Sequence, residues 1–484
     1  MVFSSVIFLC VFLPIVIGVY TVLPVKFKNI FLLLSSLVFY TWGAPKFVFV
    51  ILLTTTVDFY IVKAVHNATD GIQRNILFVC SLILNLGLLF YFKYANFFID
   101  NVNSLFQIAG VGKIEWLKVV LPIGISFYTF ESVTYMVDVY RRVHKPLDSF
   151  LTYQLYILLF PKLIAGPIIR FHEIGDQFYN RFKEENYGNR LHGLYRFILG
   201  LAKKVIIANA LAVKADEVFN SDISSLSSID AGLGVLCYTL QIYFDFSGYS
   251  EMAIGIGKML GFKFPENFDS PYTSLNITEF WRRWHITLGT WMRNYLYIPL
   301  GGNKVNSQTR LYFNLWIVFL LSGFWHGASW TFIFWGAYHG VFLVLERSFL
   351  LKVYKNLGKL TAPLCFAIVS IGWVFFRAET WNDATSILKR IFAFDFKPTL
   401  IYYNPYTVFV LVVAIFFSFA ALIPVISKLQ HKFYEGIFDI KTHLFLFGFW
   451  FCFLRRRCLD RRRHSLLSRS LTISSICSTQ CHRF

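Results

Sequence analysis

Apolar runs recur along the chain from Val2 to Leu454, and short polar breaks holding most of the Lys and Arg separate them. The runs cover residues 2–24, 30–42, 47–62, 76–92, 119–137, 151–164, 194–210, 233–244, 311–324, 330–345, 364–376, 406–426 and 444–454. Each predicts a helix. Several are shorter than the roughly 20 residues that cross a full bilayer, so they predict tilted, kinked or re-entrant helices shielded by their neighbours. The expected fold class is all-α, a polytopic transmembrane helical protein with about 10 to 13 membrane helices.

Composition agrees with this pattern. Of the 484 residues 56% are hydrophobic and only 15% charged, and the mean hydropathy is +0.56. A water-soluble chain of this length needs charged faces on most helices, and here there are too few charges to supply them. The net charge is +19, but it sits in the breaks between spans, which fits anchoring by the positive-inside bias and not nucleic-acid binding. The first run has no positive residue before it and no small-residue cleavage site after it, and reads as a retained anchor. Its first positive charges, Lys26 and Lys28, place this loop in the cytoplasm and the N-terminus outside. Lys63, Arg74, Arg141, Arg142 and Lys145 fall on the same side. Cys10, Cys80, Cys237, Cys365 and Cys452 stand singly in apolar segments without metal-ligand spacing, so they read as small hydrophobes and no metal is expected. No internal repeat of the kind that builds many transporters is visible.

Candidate chemistry lies between Tyr243 and Gly340. Polar and ionisable residues at membrane depth are costly and usually functional. Three histidines fall within 55 positions: His285 in Phe280-Trp281-Arg282-Arg283-Trp284-His285, His326 in Trp325-His326-Gly327, and His339 in Tyr338-His339-Gly340. Trp281, Trp284, Leu288, Trp291, Met292 and Tyr295 recur at helical spacing and predict one interfacial helix that carries His285 in its apolar stripe. Arg282 and Arg293 share a second face of that helix, and Asn276 with Glu279 forms its N-terminal cap. A buried structural histidine is the alternative for each imidazole, and lipid-phosphate anchoring the alternative for the arginines. Asp245, embedded in Tyr243-Phe244-Asp245-Phe246-Ser247-Gly248-Tyr249-Ser250, either orients a histidine or holds a structural arginine, and structural pairing is the expected role. Glycine and proline in the segment 160–170 predict a broken helix that brings backbone polar groups to a cavity.

These residues resemble the membrane-bound O-acyltransferases, in particular the bacterial branch that acetylates extracytoplasmic polysaccharides. The resemblance runs from Met1 to about Leu454. It is carried by Tyr91-Phe92-Lys93-Tyr94, Leu121-Pro122-Ile123-Gly124-Ile125-Ser126-Phe127, Ala165-Gly166-Pro167, the Tyr243–Ser250 segment, Phe280–His285 and Trp325-His326-Gly327, in that order. It implies a helical fold with interfacial helices around a central funnel, thinned at its middle, where a cytoplasmic acyl donor and an outer acceptor meet. It implies His326 as the essential histidine, His285 as a second at the same funnel, and His339 as a third without an assigned role. Asp245, Arg282 and Trp325 are supporting candidates.

No permanently bound cofactor is expected; acetyl-CoA or another acyl thioester is the expected donor substrate. The resemblance further implies a bacterial inner-membrane location, a polysaccharide acceptor, and a separate extracytoplasmic acetyltransferase as partner. Neutral imidazole near pH 7 suits removal of a hydroxyl proton during acyl transfer, and an N–H donor such as His285 or an arginine suits the oxyanion. The competing reading is a non-enzymatic glycan or acyl-carrier transporter with the histidines in a proton path. Residues 1–454 are expected to form one acyltransferase domain. From Arg455 the chain turns abruptly basic, with eight arginines against Asp460, giving +7 of the +19. That change reads as a shifted reading frame or a divergent end, with a basic cytoplasmic tail as the alternative.

Overall fold

The computed structural model describes residues 2–397 and 401–435. Among them the chain is helical, and the β-type pairing is one isolated antiparallel bridge between Phe268 and Trp284. Two units are present, Met1–Ser418 and Phe419–Phe484. The site described below belongs to the first. In the second, the described part is a short turn, Ala420–Leu422, and a helix, Pro424–Glu435. The span expected at 444–454, Cys452 and the basic tail lie outside the described residues.

The apolar runs become helices α1 (Leu13–Val22), α2 (Val25–Gly43), α3 (Val48–Asn67), α4 (Ile72–Ile108), α5 (Ile125–Tyr140), α6 (Phe150–Leu158) and α7 (Phe160–Leu163). Then follow α8 (Tyr187–Ala202), α9 (Ser228–Met259), α10 (Ile277–Arg283), α11 (Ile286–Met292), α12 (Gln308–His326), α13 (Trp330–Leu345), α14 (Thr361–Arg377) and α15 (Pro405–Phe419). Among the described residues, α3, α4 and the stretch Pro405–Leu422 are long and apolar enough to cross a bilayer unaided. The 37 residues of α4 rise about 55 Å at 1.5 Å each, well beyond a hydrocarbon core of about 30 Å. Large apolar side chains such as Val6, Ile15, Phe49, Leu53, Ile83 and Phe409 stay exposed on the outside, as a lipid-facing surface requires.

Short polar side chains set the helix starts. The side chains of Ser149, Asn276, Ser307 and Ser329 accept from backbone N–H groups of the first turns of α6, α10, α12 and α13, and Ser227 with Asp230 forms a reciprocal capping box on α9. Three predicted helices near the site are altered. Residues 119–124 are not helical, because Pro122 and Gly124 start α5 late: Gly124 sits at φ +78°, and a Cβ there would lie 2.7 Å from the Leu163 carbonyl oxygen. The span 151–164 is broken at Leu159, and Gly166 at φ +111° turns the chain after α7, as the glycine and proline pattern predicts. The third change concerns His285 and shapes the site.

Small residues bring helices together where the site forms. Gly323 of α12 faces Gly336 of α13 so closely that a Cβ on Gly323 would meet the Gly336 backbone at 2.9 Å. Close backbone approach through small residues is a common way to fix two membrane helices, and it locks the C-terminal end of α12 in place.

Candidate active site

His326 is the last residue of α12, where the helix stops at the extended Gly327. Its imidazole is half-buried, edge-on to the rings of Trp325, Trp335 and Phe376 at centroid distances of 4.8, 5.1 and 5.1 Å. Among the described residues it makes no hydrogen bond, so both ring nitrogens are uncommitted. The adjacent Trp325 is buried and stacks on Phe130, which stacks in turn on Trp291, at 5.0 and 3.9 Å. That column pins the end of α12 to α5 and α11.

His285 departs from the predicted single helix. Helix α10 ends at Arg283, Trp284 is extended, and His285 adopts φ +46°, a left-handed backbone unusual for a residue with a Cβ. The break is held by the Phe268–Trp284 bridge, by Asp269 N–H donating to the Arg283 carbonyl at 2.9 Å, and by Ile286 N–H donating to the Asn267 carbonyl at 2.9 Å. It also removes the face that Arg282 and Arg293 were expected to share. The predicted Asn276 cap is present, with Glu279 N–H donating to Oδ1 at 2.7 Å.

Asn267 fixes the imidazole of His285. Its Oδ1 accepts from the Thr287 backbone N–H at 3.3 Å and the Thr287 hydroxyl at 2.9 Å, while Nδ2 donates to Ser250 Oγ at 3.0 Å. The backbone donor identifies Oδ1 as the oxygen end of the amide. Nδ1 of His285 lies 3.0 Å from that oxygen and so carries the proton. In the neutral ring with this proton, Nε2 is an acceptor, which suits a proton path better than the oxyanion donor expected from the sequence.

The motif segments meet around these two rings. Phe246 lies edge-on to His285 at 4.7 Å, and Ile168 N–H, just past Ala165-Gly166-Pro167, donates to Thr287 Oγ1 at 2.9 Å. Lys93 of α4 donates to Ser126 Oγ at 3.2 Å and to the Trp325 carbonyl, and Tyr94 OH donates to the Phe324 carbonyl at 2.9 Å. His285 and Lys93 are both within electrostatic reach of His326.

The remaining candidates stand apart. Asp245 is ion-paired to Lys204 at 2.7 Å and receives Gln241 at 3.4 Å, so it neither orients a histidine nor holds an arginine. Structural pairing, the other expectation, is what it does. Arg282 is exposed and makes no ion pair among the described residues. His339 is fully buried in a box of Trp281, Trp335 and Tyr338 rings, and neither ring nitrogen has a partner among the described residues. It backs the wall behind Trp335. Asn267 and Lys93 were not singled out from the sequence; Lys93 lies in a quoted motif, but only tertiary contact gives it a task.

Asn267→Ala removes the acceptor that holds His285 and leaves Ser250 and Thr287 without their partner. Turnover per inserted molecule is expected to fall about 10²-fold, the scale of displacing a catalytic group by about 1 Å. Asn267→Asp, which keeps an acceptor at Oδ1, should recover part of it. Equal loss in both variants with His285 chemistry intact would reject this role.

Comparison with known proteins agrees with the architecture. The sequence model of the membrane-bound O-acyltransferase family matches residues 139–375. A probable alginate O-acetylase AlgI of Azotobacter vinelandii is 44% identical over 398 residues, covering 81% of this chain and 78% of the relative. The peptidoglycan O-acetyltransferase of Helicobacter pylori is 38% identical over 421 residues, with 80% and 79% covered. The teichoic acid D-alanyltransferase of Bacillus subtilis is 30% identical over 282 residues, with 54% and 69% covered. With six motif segments packed about two histidines and relatives matched over most of their length, the chain is a polytopic membrane enzyme belonging to the membrane-bound O-acyltransferase family.

Proposed function

We propose that this enzyme moves an acetyl group from a cytoplasmic thioester, acetyl-CoA, to hydroxyls of an extracytoplasmic polysaccharide, directly or through a partner acetyltransferase. It works in the bacterial inner membrane, and residues 1–454 form its catalytic domain. The observation that carries this reading is the half-buried, hydrogen-bond-free His326 within electrostatic reach of an oriented His285. The relatives, a probable alginate O-acetylase and a peptidoglycan O-acetyltransferase, favour a glycan acceptor.

In this mechanism His326 takes the hydroxyl proton as the acceptor oxygen attacks the thioester carbonyl, then returns it to the departing thiolate. His285, held through Nδ1, offers Nε2 as a second acceptor along the proton's path. Trp325 and Trp335 exclude water, which protects the thioester from hydrolysis.

Deleting the gene and measuring ester-linked acetate by mass spectrometry in both exopolysaccharide and peptidoglycan tests the assignment. One of the two glycans should lose its O-acetyl groups, and the chain supplied in trans should restore them. Unchanged acetate in both glycans would reject it. Reduced export with unchanged acetate per sugar would instead favour a transporter.

A further inference from the structure

Resting on the acyl-transfer reading above, the site still needs a donor for the oxyanion, since Nε2 of His285 is an acceptor and the exposed Arg282 makes no hydrogen bond or ion pair with either histidine among the described residues. Lys93 is placed to supply one. Four interior cations of this protein are neutralised, Lys162 by Glu131, Lys204 by Asp245, Lys28 by Glu185 and Arg196 by Glu251, while the buried Arg181 is hydrogen-bonded to the Leu260, Gln177 and Phe178 carbonyls and Tyr20 OH. Lys93 forms no ion pair among the described residues, although it sits within an apolar helix. An unneutralised cation inside a membrane protein is costly, and such a charge is usually kept for an anion that appears there.

Two of its three N–H groups are engaged, one by Ser126 Oγ at 3.2 Å and one by the carbonyl of Trp325, the residue preceding His326. The ammonium also lies 5.3 Å from the centre of the Trp325 ring. These contacts fix the charge beside the imidazole and leave one donor unassigned. We propose that Lys93 is a catalytic residue of the acyl transfer, giving its third N–H to the oxyanion.

The atoms balance as follows in that step. The acceptor oxygen bonds to the thioester carbon while His326 removes its proton, and the C=O π pair becomes the oxyanion that faces Lys93. Collapse reforms the carbonyl, breaks the C–S bond, and the thiolate leaves with the proton that His326 held.

A bland alternative is that Lys93 only caps the C-terminus of α12, where a cation is also favourable. Lys93→Gln separates the two, because the amide keeps N–H donors for Trp325 and Ser126 but loses the charge. Cells carrying the full-length chain as Lys93→Gln, Lys93→Met or Lys93→Arg are assayed for ester acetate formed per inserted molecule, and each purified variant for its thermal midpoint in detergent. Lys93→Gln and Lys93→Met should lose about 10²- to 10³-fold, the usual effect of removing one oxyanion donor, with the midpoint unchanged. Lys93→Arg should stay within about tenfold of wild type, because it keeps a cation with free N–H groups.

Near-normal acetylation by Lys93→Gln overturns the proposal. So does an Arg variant as inactive as the Gln variant, or loss of folding in Lys93→Gln, either of which would make the role structural. His326→Gln run in parallel keeps the two ideas apart: its retained activity sinks the base assignment, whereas an active Lys93→Gln beside a dead His326→Gln sinks only the lysine.

Discussion

His326→Gln, inserted at the wild-type level, lowers acetylation by about 10²- to 10⁴-fold, the contribution of a positioned general base. The imidazole makes no hydrogen bond among the described residues, and its contacts are the rings of Trp325, Trp335 and Phe376. Glutamine fills similar space, leaves no buried partner unpaired, and cannot accept a proton near neutral pH. Fold and insertion should therefore survive while chemistry does not. The check is ester acetate per molecule of inserted protein, with the thermal midpoint in detergent as the control for folding. Acetylation retained by a normally folded variant would remove His326 from the mechanism.

Lys162→Met should be the most damaging single change to stability. Lys162 of α7 and Glu131 of α5 form an ion pair whose side chains are 0% and 2% exposed, and the ammonium also lies 4.7 Å from the Tyr156 ring centre. Removing only the cation leaves a buried carboxylate uncompensated, at a cost of about 3–5 kcal/mol. The double change Lys162→Met with Glu131→Leu removes both charges and should recover most of the loss. Thermal midpoints of the wild type, the two single variants and the double variant, in one detergent, give the answer. A double variant no more stable than Lys162→Met would show that the pair holds α5 to the broken α6–α7 segment by geometry and not by charge balance.

Membrane residence and helix positions were legible in the sequence because lipid imposes a simple rule: backbone polar groups must pair within a helix, and outward side chains must be apolar. The run at residues 330–345 matches α13 end to end, and that at 364–376 is extended only to Thr361–Arg377. Glycine and proline near Phe160 marked the break between α6 and α7. Those signals are local, and local propensity was enough.

The site was legible only as residue types. Helical spacing from Trp281 to Tyr295 favoured one continuous helix, and periodicity has no means of registering that Asn267, eighteen residues earlier, pulls His285 into a left-handed turn. Asp245 among aromatics pointed to structural pairing, but the partner is Lys204, a lysine 41 positions earlier, and not an arginine.

The sequence by itself determined that this is a many-span membrane protein, which segments carry its chemistry, and the family whose order of motifs it shares. Tertiary structure decided which ring nitrogen of His285 bears the proton, which side chains pair off Asp245 and enclose His339, and that Lys93 stands beside His326 without a counter-ion among the described residues. The physical reason is one of range. Hydrophobic patterning and capping act over a turn or two of chain, whereas these hydrogen bonds and ion pairs join residues from 18 to 232 positions apart that only packing brings into contact.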